Sequence, residues 1–95
     1  MSYEYRPLSQ ETLRRIIRTR AITVNGRVRI DLDPKARWVI IQNVSDADVF
    51  VGNSTVDNTN GFKLASGDSI SFNFLPGFEV YAYANNKEIR VLEVE

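Results

Sequence analysis

Between Val44 and Phe72 the chain reads VSDADVFVGNSTVDNTNGFKLASGDSISF, and the alternation in this stretch restricts the fold more than any other feature. Val, Phe, Leu and Ile recur between polar neighbours, and Asp, Asn, Ser and Gly gather between the apolar runs. Period-two alternation is the signature of a strand with one buried face, and the polar clusters are residues that end strands in turns. The stretch therefore predicts strand, long polar loop, short strand, tight turn and strand. It carries no imidazole or thiol, and the whole chain of 95 residues contains neither His nor Cys. The commonest acid–base side chain, the commonest metal ligand and the thiolate nucleophile are thus all missing.

The alternation extends in both directions. Ile22 and Val24, then Val28, Ile30 and Leu32, alternate with polar partners on either side of Asn25-Gly26. An Asn-Gly pair between such runs predicts a hairpin with a two-residue turn. Asp33-Pro34 ends that unit. Trp38-Val39-Ile40-Ile41 is continuously apolar, which predicts a central strand buried on both faces. Further strands are expected from Asp48 to Val51, from Phe62 to Ala65, and at Ile70, Phe72 and Phe74. Gly52 to Gly61 forms a loop, and Ser66-Gly67-Asp68 and Pro76-Gly77 form turns. Val80, Ala82 and Ala84 alternate with Tyr81 and Tyr83, Asn85-Asn86 predicts one more turn, and Glu88 to Val94 closes the chain. In that last run Ile89 and Val91 are out of phase with Leu92 and Val94, which predicts a bulge or a strand covered on both sides. Trp38, Ile40, Ile70, Phe72 and Val80 are the expected core.

The N-terminus has a different pattern. Residues 1–8 read as an extended arm ending near Pro7. Ser9 fits an N-cap, Leu8 and Leu13 fit a hydrophobic staple, and Glu11 suits the first turn. Leu13, Ile16 and Ile17 at i, i+3 and i+4 then predict a short amphipathic helix over residues 9–20. Arg14, Arg15 and Arg18 fall off its apolar stripe. The expected architecture is mainly β: an antiparallel β-sandwich or small barrel of about seven to eight strands, one short N-terminal α-helix, and a single domain over 1–95 with its β-part at 21–95.

Composition supports an ordinary folded domain, at 43% hydrophobic and 25% charged residues. No apolar run approaches the roughly 20 residues of a membrane span. MSYEYRPLSQETLRR lacks the apolar stretch of a signal peptide, so the expected location is the cytoplasm or an assembled virus-like particle.

Net charge is zero but unevenly spread. Residues 1–37 hold nine basic and four acidic side chains, net +5, and residues 38–95 hold three basic and eight acidic, net −5. Either folding interleaves the two halves, or the molecule carries a basic and an acidic face able to stack head to tail. On the second reading Arg14, Arg15 and Arg18 are candidate interface residues.

Chemical motifs are sparse. Asp31/Asp33 and Asp46/Asp48 are the close carboxylate pairs that general acid–base catalysis could use, but each lies beside a turn, where Asp bonds its own backbone. No glycine-rich phosphate loop leads a strand into a helix. Asn53, Asp57, Asn58 and Asn60 offer oxygen ligands without the spacing of a calcium loop. The arginines could meet phosphates, yet the neutral chain does not interleave Tyr81 and Tyr83 with basic residues as a nucleic-acid platform would. The expectation is a non-enzymatic protein with no cofactor, no metal and no nucleic-acid, membrane or small-molecule partner. Tyr81 and Tyr83 share the face opposite Val80, Ala82 and Ala84. They either pack inside the protein or form a contact surface, for instance for a sugar, with the loop Asn53–Asn60 beside them.

The order Asn43-x-Ser45-Asp46-x-Asp48-Val49-x-Val51-Gly52-Asn53-Ser54-x-Val56, Asn60-Gly61-Phe62-x-Leu64-x-x-Gly67-x-Ser69-Ile70 and Val80-Tyr81-Ala82-Tyr83-Ala84 resembles small β-rich structural proteins of tailed phages and virus-like elements. Related uncharacterised archaeal and bacterial proteins carry similar stretches. The resemblance spans roughly residues 39–94 and rests on turns and core positions. It implies a head-associated, fibre or connector role, with the chain itself or a capsid-like protein as partner. The alternative expectation is a small ligand- or carbohydrate-binding β-module.

Overall fold

The computed structural model describes residues 15–95. Six strands form one antiparallel sheet: β1 (Ile16–Ile30), β2 (Trp38–Asn43), β3 (Val49–Gly52), β4 (Phe62–Leu64), β5 (Ser69–Asn73) and β6 (Val80–Val94). β6 is the spine. One of its edges pairs with β1 along the whole strand, from Ile30↔Val80 to Ile16↔Val94. Its other edge takes β3 at Tyr81–Tyr83 and then β2 at Ile89–Val94. β4 and β5 pair with β3 and β2 respectively and complete the sheet.

The strand breaks line up across the sheet. β2 gives way to β3 over residues 44–48, and β4 to β5 over residues 65–68. In β6 the register at the same level jumps from Val24↔Lys87 to Asn25↔Asn85, so Asn86 is the extra residue of a bulge. Asn86 has φ 59° and Gly26, opposite Ala84 on β1, has φ 74°. Bulges bend a strand and increase its twist. Here the line of breaks curls the sheet into a half-barrel around a single apolar core.

Side-chain parity follows from the bulge. Before it β6 buries Val80, Ala82 and Ala84, and after it Ile89, Val91 and Glu93. One extra residue turns even positions into odd ones while the core stays on the same face. From Arg18 onward β1 keeps its parity, with Val24 and Ile30 fully buried and Ile22 and Val28 packed against the core. Val39, Ile41, Val49, Val51 and Leu64 complete it, and Ile70, Phe72 and Phe74 close its open side. Phe78 packs edge-on against Phe72 at 5.4 Å and stacks on Phe74 at 5.6 Å.

One buried polar residue holds the break together. Asn43 is fully buried. Its Nδ2 donates to the Ala47 carbonyl at 2.7 Å and the Leu64 carbonyl at 2.8 Å, and its Oδ1 accepts from the Ser45 amide and hydroxyl. Its own amide donates to the Asp68 carbonyl, and its carbonyl accepts from Gly67. A buried amide group is tolerated only when satisfied, and this one is satisfied on every side.

Several sequence expectations are corrected. Residues 16–20 lie in β1, not in a helix, because Ile16, Arg18, Thr19 and Arg20 pair with Val94, Glu93, Leu92 and Val91 of β6. The rest of the predicted helix, with Arg14 and the arm over 1–8, lies outside the described residues. Asn25-Gly26 and Asn85-Asn86 are not hairpin turns: they face each other inside the long β1–β6 pair. Runs expected as separate strands on either side of each therefore merge, and six strands replace seven to eight. Trp38 and Ile40 are half-buried on the outer face of β2, and it is Val39 and Ile41 that are fully buried. Val80 is in the core as expected, with Ile70 and Phe72 half-buried against it. The run Glu88–Glu93 pairs with β1 without a bulge: the extra residue of β6 is Asn86, in the predicted turn, and a second irregularity lies on β1 between Ile16 and Arg18, opposite Val94.

Candidate functional site

Two tyrosines, Phe50 and several polar side chains lie on the outer face of the sheet near the bulge. Tyr81 and Tyr83 alternate with the buried alanines of β6 and stand half-buried on this face. Tyr83 is flanked across the ladder by Arg27 on β1 and Phe50 on β3, and Tyr81 by Arg29 and Gly52. The two tyrosines are therefore interleaved with basic residues after all. The pattern was invisible along the chain because the arginines lie more than 50 positions away and only the β1–β6 register aligns them.

Part of this face is roofed by the loop after β3. Val56 is buried apart from the main core, and a Cβ built on Gly52 would come within 2.9 Å of it. A Cβ on Gly61 would stand 2.5 Å from the Phe50 Cβ, so only glycine lets the loop descend onto the sheet there. Arg27 Nη1 donates to the Val56 carbonyl at 3.4 Å. Most of the loop's oxygen-bearing side chains shape the loop itself. Asn53 Oδ1 accepts from the Thr55 amide and hydroxyl, Asp57 Oδ1 from those of Thr59, and Asn60 Oδ1 from the Asp57 amide. The Thr59 hydrogen bonds hold the Asp57 carboxyl below its ordinary range. These oxygens are occupied by turn chemistry.

Beside the roofed part lies a shallow depression of about 480 Å³, lined by Asn25, Asp48, Phe50, Asn58, Tyr83 and Asn85. Asn25, Asp48, Asn58 and Asn85 are exposed. Among the described residues their side chains make no hydrogen bond, in contrast to Asn43, Asn53 and Asn60.

Of the candidate interface arginines Arg14 lies outside the described residues, and Arg15 and Arg18 have separate partners. Arg15 is largely exposed and pairs with Glu95 at 2.9 Å, which holds the Glu95 carboxyl below its ordinary range. Arg18 lies on the core face of β1. With Arg20 it grips the fully buried Glu93, at 2.8 Å and 3.1 Å, and the Asp33 amide donates to the same carboxylate at 2.6 Å. Arg20 also donates to the Asp31 carbonyl, leaving its buried Nε without a partner. Arg29 faces Glu79 and Lys87 pairs with Asp46. Of the two readings of the charge split the interleaved one holds for the described residues, because Arg15, Arg18, Arg20 and Arg29 of the basic half pair with Glu95, Glu93 and Glu79 of the acidic half.

The carboxylate pairs are dispersed as well. Asp33 Oδ1 accepts from the Lys35 amide, and the Lys87 ammonium keeps Asp46 ionised to lower pH than usual, the reverse of the shift a general acid needs. Among the described residues no cluster of three or more acidic side chains could hold a metal ion, and no helix is long and apolar enough to cross a membrane. No family model, curated protein or solved structure matches the chain.

Proposed function

We propose that this protein is a non-enzymatic structural component of a larger assembly, virion-like or phage-derived, which it joins by pairing β-strand edges with a second copy of itself. The observation that carries this reading is the edge of β1. The strand runs for 15 residues and pairs with β6 alone, so no strand among the described residues covers its other edge. Natural sheets guard such edges with prolines, short strands or free charges. β1 has no Pro and no Lys. Its arginines are occupied, Arg18 and Arg20 by Glu93, Arg29 by Glu79 and Arg27 by the Val56 carbonyl. Exposed Ile16 adds apolar surface at one end. The resemblance of residues 39–94 to phage structural proteins supplies the kind of assembly.

Since the charges interleave, strand pairing and not opposed charged faces provides the attraction. Sedimentation across a concentration series should show reversible association that changes little between low and high salt. Hydrogen exchange should slow at β1 amides as association proceeds. A monomer at every concentration, with no concentration-dependent protection in β1, would sink self-pairing.

A further inference from the structure

We propose that the depression at the bulge is a binding site for a neutral saccharide. Each part of it suits a polyhydroxylated ring. Phe50 and Tyr83, register partners on adjacent strands, offer aromatic surface for the C–H face of a sugar. Asn25, Asn58 and Asn85 each present a donor and an acceptor, as sugar hydroxyls do, and Asp48 adds a carboxylate able to accept from two hydroxyls. The four polar side chains come from β1, the β2–β3 connection, the loop after β3 and β6, and converge on one hollow. Its volume of about 480 Å³ falls within the range of ligand sites.

The contrast inside the chain strengthens the assignment. Asn43, Asn53, Asn60 and Asp57 spend their hydrogen bonds on folding the backbone. Asn25, Asn58, Asn85 and Asp48 have no such use among the described residues. The bulge explains how two of them arrive together: the β1–β6 register sets Asn25 opposite Asn85.

The same lining argues against an anionic ligand. No basic residue lines the hollow and one carboxylate does. Arg27, the register partner of Tyr83, is turned to the Val56 carbonyl, and Lys87, beside the Asn25–Asn85 pair, is bound to Asp46. A phosphate or a nucleic-acid backbone would meet Asp48 without a compensating charge. The site is independent of assembly through β1, since it lies on the sheet face and leaves the strand edge untouched.

The test is titration of the labelled full chain with neutral oligosaccharides built from glucose, galactose, mannose and N-acetylglucosamine. Sialylated and sulphated glycans and a short single-stranded oligonucleotide run in parallel. A neutral saccharide should shift the amides of Asn25, Asn58 and Asn85 selectively. Asp48→Asn and Asn58→Ala should each weaken binding on the order of tenfold while leaving the melting temperature unchanged, because neither side chain supports the fold. Tyr83→Ala should abolish binding; as it also removes packing, the two exposed variants carry the decision. The proposal is overturned by an absence of response to every neutral sugar at millimolar concentration, by a response mapping elsewhere, by binding of the charged ligands alone, or by unchanged affinity in both exposed variants.

Discussion

Asn25 stands directly opposite Asn85 in the β1–β6 ladder. Each belongs to a dipeptide whose local chemistry demands a turn, and neither makes one. The demand for positive φ is nonetheless met, by Gly26 at 74° and Asn86 at 59°, in a bulge instead of a reversal. Local propensity was correct about the backbone angles and wrong about the topology. A 15-residue ladder offers many more hydrogen bonds and cross-strand contacts than a short hairpin.

Gly26→Val should therefore destabilise the protein even though no hairpin is present. Open space surrounds the position, with no atom within 4 Å of a built Cβ, so the cost is conformational. A β-branched residue at positive φ loses about 1–2 kcal/mol, roughly 5–15 °C in melting temperature for a domain of this size. Deleting Asn86 should be far worse. Without the extra residue Ile89 and Val91 would turn to the outer face, and each buried aliphatic contributes about 1.5–3 kcal/mol. Circular dichroism melts of both variants check this ordering. A deletion variant as stable as Gly26→Val would show that the bulge does not set the parity.

What could be read from the chain was local. Alternation located β3, β4 and β5, the two halves of β6 but not their union, the loop Gly52–Gly61, and the turns at Gly67 and Gly77. It also placed Tyr81 and Tyr83 opposite Val80, Ala82 and Ala84. Whatever depended on pairing was hidden. Leu13, Ile16 and Ile17 fit a helical stripe, but Ile16 and Ile17 belong to a strand whose partner lies at the other end of the chain. Trp38–Ile41 gave no sign of which parity faced the core, because an unbroken apolar run has none. The depression is half visible in the sequence: Tyr83 and the loop holding Asn58 offer sugar contacts, whereas Asn25, Phe50, Asp48 and Asn85 join them only in the folded sheet.

Asn43→Leu should cost more than its buried apolar surface returns. The substitution leaves the Ala47 and Leu64 carbonyls without their donor, and a buried unsatisfied group costs about 1–3 kcal/mol. A loss of roughly 2–5 kcal/mol is expected in urea unfolding, read as a lower midpoint with an unchanged slope. Asn43→Asp should be comparably poor, since it sets a carboxylate against the same two carbonyls. A neutral effect of both would mean that the strand breaks need no staple.

Arg18 and Arg15 should respond differently to charge reversal. A helical reading sets both off the apolar stripe and predicts that Glu at either position leaves the fold intact. In the sheet Arg18 holds the fully buried Glu93, so Arg18→Glu would add a second carboxylate where one already depends on its cations. Breaking a buried pair costs about 3–5 kcal/mol, and the partial exposure of Arg18 reduces that to roughly 2–4 kcal/mol. Arg15→Glu removes an ion pair whose basic partner is 75% exposed and should have a negligible effect on stability. Glu93→Gln should reproduce part of the Arg18 loss. Thermal melts of the three variants distinguish the readings, and equal tolerance of Arg15→Glu and Arg18→Glu would contradict the sheet assignment.

The loop over Phe50 should loosen in acid, with Asp57 as its sensor. Thr59 and Asn60 donate to Oδ1 of the Asp57 carboxylate, and these bonds, chiefly the Thr59 hydroxyl, lower its pKa from the ordinary value of 3.8. A carboxyl depressed by folding stabilises the folded form in full above its unfolded pKa and loses that contribution as pH falls through the folded value. The amides of Thr59 and Asn60 should accordingly titrate together with a midpoint below 3.8, and their exchange should quicken below it. Asp57→Asn keeps an oxygen acceptor but cannot titrate, so it should remove that midpoint while preserving the turn. Lys87 likewise lowers Asp46 and Arg15 lowers Glu95, so those carboxyls lose protons in the same acid window. Nuclear magnetic resonance resolves the sites individually. A Thr59 amide whose acid titration persists in Asp57→Asn would show that another group drives the loosening.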